Sequence, residues 1–101
     1  MIIYRVSGRA HPHKVDEVRK RFAALSAASR KVAGVVSFDV AQDVTDPAIF
    51  ISTEVYQNQQ AVDRQGELPE LHDLMACLPG LLADGPHGTV FTASPTGPWP
   101  A

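Results

Sequence analysis

The sequence predicts an α+β fold: a four-stranded antiparallel sheet with helices on one face, in the ferredoxin-like βαββαβ order. Three observations predict it. Segments with the period-two pattern of strands and segments with the 3.6 period of amphipathic helices follow one another as strand, helix, strand, strand, split helix, strand. The turn Asp43-Val44-Thr45-Asp46-Pro47 between the second and third strands is short and rich in turn formers, so those strands fold back on each other as a hairpin. A chain of 101 residues is one domain, long enough for a single core and too short for two.

Ile2 to Gly8 is rich in Ile, Tyr and Val and reads as the first strand, stopped by Gly8 and Arg9. His11-Pro12-His13 marks a helix start, because proline is tolerated at the first helical position. Val15, Val18, Phe22, Leu25 and Val32 then keep close to a 3.6 period, with Asp16, Glu17, Arg19, Lys20 and Arg30 mostly turned away from them. Arg30 and Lys31 suit a helix C-terminus, and Gly34 supplies the left-handed residue that ends it. Val35 to Gln42 is the second strand, alternating Val36, Phe38 and Val40 against Ser37, Asp39 and Ala41.

The third strand, Ala48 to Tyr56, organises the rest. Its β-branched and aromatic residues suit a pleated, buried surface, and Asn58 offers a side-chain oxygen to cap the helix that follows. Ala48, Phe50, Ser52, Glu54 and Tyr56 share one face, while Ile49, Ile51, Thr53 and Val55 share the other. Neither face is wholly polar, so something is expected to pack on both sides. One side faces the helices; the remedy for the other is burial against a second copy, as a homodimer.

After Asn58 the helical pattern breaks at Gln65-Gly66-Glu67 and resumes at Pro69, with Leu71, Leu74, Met75 and Leu78 on one face until Pro79-Gly80 stops it. Leu81-Leu82 continue the core irregularly, Asp84-Gly85-Pro86 turns the chain, and Gly88 to Ser94 forms the last strand. Residues 1–94 make the domain. Residues 95–101 are a Pro-rich tail in which Trp99, between two prolines, favours an extended arm.

Composition excludes several classes. A hydrophobic content of 45%, a charged content of 20% and a net charge of −2 describe an ordinary globular protein and show no basic excess for nucleic acid. No apolar run approaches the ~20 residues that span a bilayer, and no signal-like core follows Met1, so no membrane association is expected and a cytoplasmic location is. The single cysteine, Cys77, has no internal disulfide partner and sits in an apolar helical stretch, as a buried inert thiol would. His11-x-His13 lacks a third ligand, and no metal is expected. There is no Gly-rich phosphate loop or nucleotide fingerprint.

Glu54 and Tyr56 place a carboxylate and a phenol two residues apart on one strand face, where they can bind or deprotonate a phenolic ligand; the alternative is a structural pair filling the core. His72 on the last helix is a candidate general base, against the alternative of a surface histidine beside Asp73.

Gly34-Val35-Val36-Ser37-Phe38-Asp39-Val40, the Asp43 to Pro47 turn, and Phe50-x-x-x-Glu54-x-Tyr56-x-Asn58-x-x-Ala61-Val62 resemble the antibiotic biosynthesis monooxygenase family of dimeric α+β barrels. The resemblance covers Ile2 to Phe91 and is sharpest from Gly34 to Val62. It departs from the family where a Trp often follows the glutamate, here Tyr56, and where two histidines often stand in the next helices, here Gln65 and Glu70. The resemblance implies a homodimer and a cofactor-independent monooxygenase that uses molecular oxygen on an aromatic polyketide or quinol-like substrate. Glu54, Tyr56 and His72 are then the catalytic candidates, Gln65 a further polar contact, and Phe38, Phe50 and Met75 apolar walls. Such chemistry needs no flavin or metal if the deprotonated substrate itself reduces oxygen. Two other readings accompany it: a non-catalytic or stress-associated binder with the same pocket, and a haem-degrading oxygenase.

Overall fold

The computed structural model describes residues 1–100; Ala101, the end of the predicted tail, lies outside them. The chain runs β1 (Ile2–Ala10), a 3₁₀ turn (Pro12–Lys14), α1 (Val15–Ser29), β2 (Val35–Asp43), β3 (Asp46–Tyr56), α2 (Gln59–Gly66), α3 (Pro69–Leu81) and β4 (Leu82–Thr92). The strands form one antiparallel sheet in the order β2-β3-β1-β4, with the helices on one face. This is the ferredoxin-like α+β fold.

Val18, Phe22 and Leu25 follow the spacing that puts side chains on one side of α1, and α3 presents Leu74, Leu78 and Leu81 in the same way. They meet Ala10, Phe38, Phe50 and Leu82 from the sheet to make the core, with the rings of Phe22 and Phe50 stacked at 5.8 Å. Burying each large apolar side chain contributes about 1.5–3 kcal/mol, which is what holds short helices of modest propensity on the sheet.

Four local features differ from expectation. The first helix ends at Ser29, because Lys31 and Val32 donate to carbonyls only three residues back and tighten the chain before Gly34, whose φ is 88°. Val32 therefore follows the helix instead of belonging to its stripe. In β2 the pairing shifts between Val35 and Ser37, which turns Val36 out of the inward row and leaves it 53% exposed. Pro79 does not stop α3: so near the end it removes a single hydrogen bond, and the buried Leu78 and Leu81 carry the helix past it. Finally, β4 begins at Leu82, six residues before the predicted start, because two irregularities in its register with β1 absorb Asp84 to Pro86 within the strand.

Asn58 caps α2 as expected, its Oδ1 accepting from the Ala61 amide at 3.0 Å. Arg64 of α2 donates to the Ala33 carbonyl at 2.7 and 3.1 Å, fastening the helix to the turn before β2. On the sheet face away from the helices, Ile3 stands opposite Val55 and Phe91, Ser7 opposite Ile51, and Arg9 opposite Ile49. No helix of the described residues covers this face. No helix among the described residues is long and apolar enough to cross a membrane.

Candidate functional site

Between the inner sheet face and the three helices lies a cavity of about 280 Å³. Its walls are mostly hydrocarbon: Val6 from β1, Phe38 from β2, Phe50 from β3, Phe22 and Leu25 from α1, and Leu71, Leu74, Met75 and Leu78 from α3. That volume lies just below the ~300–1,000 Å³ usual for small-molecule pockets, room for one compact ligand. Met75, 53% exposed, forms part of the wall that reaches solvent.

Three of the polar groups stand together on β3. Residues two apart on a strand point the same way, so Ser52, Glu54 and Tyr56 form a row on the inner face. The Tyr56 hydroxyl donates to Glu54 Oε1 at 2.7 Å, and the Ser52 hydroxyl donates to Glu54 Oε2 at 2.8 Å. Both carboxylate oxygens are thus held by hydroxyls of their own strand. Tyr4, opposite Glu54 on β1, meets the Tyr56 ring edge-on at 5.6 Å and also lines the cavity. Tyr56 is 1% exposed, and burial raises its phenol well above the ordinary tyrosine range, with the bond to Glu54 adding to the rise. Gln65, 5% exposed, lines the cavity from α2 and donates from Nε2 to Ser29 Oγ of α1 at 3.3 Å.

Of the residues singled out in the sequence, the structure brings Glu54, Tyr56, Gln65, Phe38, Phe50 and Met75 to this one cavity. It does not bring His72. That residue is exposed, with Nε2 2.9 Å from the Gly66 carbonyl, and it lies off the cavity wall. The reason is helical phase: one residue beyond Leu71 is a rotation of about 100°, and the inward face of α3 is already taken by Leu71, Leu74 and Leu78. His11 and His13 sit with their rings 5.8 Å apart, and among the described residues no group of three or more His, Cys, Asp or Glu is placed to hold a metal. Cys77 is half-buried against the core.

Ser52, Tyr4 and Ser29 carry no role in the sequence reading. Ser52 was legible as the third member of an alternating Ser-x-Glu-x-Tyr row. Tyr4 becomes visible only when register sets it opposite Glu54, and Ser29 only when α1 and α2 are docked.

The arrangement can take a proton from a bound hydroxyl. A ligand O–H meeting Tyr56 Oη has a path in which Tyr56 passes its own proton to Glu54, after which the phenol points back and stabilises the ligand anion.

Solved structures share the architecture. A protein from Deinococcus radiodurans, described as a candidate antibiotic biosynthesis monooxygenase, is 21% identical with a TM-score of 0.87, the match covering 97% of each chain. A Mycobacterium tuberculosis protein is 18% identical with a TM-score of 0.87 over 96% of this chain and 98% of its own. A Nitrosomonas europaea protein, also a candidate antibiotic biosynthesis monooxygenase, is 17% identical with a TM-score of 0.86 over 92% and 98%. At these identities the likeness shows the fold alone. A comparison with curated proteins finds no match. A family profile described as antibiotic biosynthesis monooxygenase matches residues 1–76. That match runs from β1 into α3 and takes in the whole Ser52-Glu54-Tyr56 row, and by it the chain belongs to the antibiotic biosynthesis monooxygenase family.

Proposed function

We propose that this chain is a cofactor-independent monooxygenase acting on a planar phenol or quinol-like aromatic, of the kind found among polyketides. One observation supports this most: a mostly hydrocarbon cavity with a polar row on β3 in which a phenol and a carboxylate are joined by a hydrogen bond. Removal of the substrate's hydroxyl proton through Tyr56 to Glu54 raises the electron density of the ring until it reduces oxygen. The reaction balances without another reductant: in a phenol a ring C–H para to the hydroxyl becomes C=O and the hydroxyl becomes the second carbonyl, in a quinol another ring C–H becomes C–OH and both hydroxyls become carbonyls, and in each case one oxygen atom enters the ring and the other leaves as water. The walls orient the ring and exclude water.

The working unit in this proposal is a homodimer closed through the face that carries Ile3, Ile49, Ile51 and Val55. Support comes from the four apolar residues Ile3, Ile49, Ile51 and Val55 on that face, over which no helix of the described residues packs.

Binding without turnover is the second reading. It is favoured by the fact that none of the four histidines lines the cavity, which leaves the site without an imidazole base. The same fact weighs against haem degradation, since no imidazole stands ready as an axial ligand. Oxygen uptake by purified protein with a panel of hydroquinones and anthrones, beside a thermal-shift binding screen, tests the proposal. Uptake is expected; binding across the panel with no uptake would leave the binder.

A further inference from the structure

The hydroxyl protons of Ser52 and Tyr56 are both already committed. The Ser52 hydroxyl donates to Glu54 Oε2 at 2.8 Å and the Tyr56 hydroxyl to Glu54 Oε1 at 2.7 Å. What these groups have left for a ligand is lone pairs. Gln65 turns its amide nitrogen to Ser29, and the uncommitted phenol on the wall is Tyr4, across the strand pair from Glu54.

We propose that the Ser52-Glu54-Tyr56 row makes the polar end of the cavity a hydrogen-bond acceptor, which selects the hydroxyl form of an aromatic ligand over its methyl ether and over the corresponding quinone. The inference rests on the cavity being the ligand site of the proposed function, and it adds a direction to that function. Once Glu54 has given the relayed proton to the departing water, Tyr56 donates to the carboxylate again, and the ring that entered as a donor meets lone pairs on the way out as a carbonyl compound, carbonyl oxygen against Tyr56 Oη. The site then holds the reduced form and releases the oxidised one. Ser52 is a positioning residue here: by occupying Oε2 it leaves Oε1 for Tyr56, which keeps the phenol proton turned from the cavity.

The test is equilibrium binding under strict exclusion of oxygen, which separates recognition from turnover. The probes are 1-naphthol, 1-methoxynaphthalene, 1,4-naphthohydroquinone and 1,4-naphthoquinone. A buried acceptor left without a partner weakens binding roughly ten- to a hundredfold, so naphthol is expected to bind at least about tenfold tighter than the ether, and hydroquinone tighter than quinone by a similar factor. Glu54→Gln supplies an N–H in place of a lone pair and frees a hydroxyl proton, so both ratios should fall to within about threefold. Equal affinities in the wild type, tighter binding of the quinone, or no binding of any of the four would overturn the inference, whatever the folding of the variant. A clear preference for the hydroxyl forms in a protein that consumes no oxygen would support it while removing the oxygenase reading.

Discussion

Gln65 Nε2 reaches Ser29 Oγ across 3.3 Å, joining α2 to α1 between two buried side chains that lie 36 positions apart in the chain. Ser29→Ala would leave that amide buried without its acceptor, at a cost of about 1–3 kcal/mol. Urea titration should show the loss as a lower midpoint with an unchanged slope. A double-mutant cycle with Gln65→Ala should give a coupling of at least about 0.5 kcal/mol. Simple additivity would mean that the bond contributes nothing.

Gly34 has φ 88°, and a Cβ built on it would stand 2.7 Å from the Ala61 Cβ. Gly34→Ala therefore combines a left-handed alanine, about 1–2 kcal/mol, with a clash against the first turn of α2. We expect a destabilisation of about 2–4 kcal/mol by chemical denaturation, the upper end of what a single substitution usually does. A fall of less than about 1 kcal/mol would show that α2 moves freely away from the turn, in conflict with the Arg64 bonds to Ala33.

Tyr56 is raised in the folded state above its ordinary value of 10.0, first by burial and then by Glu54. A raised value means that above that ordinary value the folded chain retains a proton the unfolded chain has released. Its contribution is therefore full below the unfolded value and falls as pH rises beyond it. Urea midpoints measured from neutral to strongly alkaline pH should decline more steeply in the wild type than in Tyr56→Phe. Parallel declines would place the phenol in water.

Ile51→Asp sets a carboxylate on the outer face opposite Ser7. In a dimer closed through that face the charge is buried without a partner, costing several kcal/mol, so light scattering should report monomer or aggregate where the wild type gives twice the chain mass. A well-folded wild-type monomer at micromolar concentration would defeat the dimer proposal.

Tyr56→Phe removes the link between a bound hydroxyl and Glu54. Since positioned proton transfer is typically worth ~10² to 10⁴ in rate, oxygen uptake should fall within that range while the fold survives. His72→Ala, off the cavity wall, should leave uptake within about twofold. The reverse pattern would return the base to α3.

The sheet was legible because alternation is a local property. Phe50, Ser52, Glu54 and Tyr56 fall on one face whatever the rest of the chain does, and the Asp43 to Pro47 turn fixes the hairpin partner. His72 was misplaced because a helical position is decided by phase, and phase depends on which of two adjacent stripes docks. Leu71 and Leu74 won that contest, being larger in apolar area. The starts and stops around Pro79 and Asp84 were illegible for another reason: proline and glycine mark breaks, yet buried leucines beside them overrule the mark. Ser29 shows the limit most plainly, since its use depends wholly on a residue from a different helix.

The strand order β2-β3-β1-β4 places β1 inside the sheet, flanked by β3 and β4, with the Met1 amine bonded to the Ala93 carbonyl at 2.9 Å. Within this sheet β1 is made before both of its neighbours, so one of its edges stays open until β3 has been made and the other until β4 has. Until then it is an unpaired apolar template of the kind that recruits stray strands. Long-range pairings of this sort also slow folding. A nascent chain halted before Leu82 would carry the complete Ser52-Glu54-Tyr56 row and still expose the backbone of its central strand, so assembly on the ribosome depends on the last strand delivered.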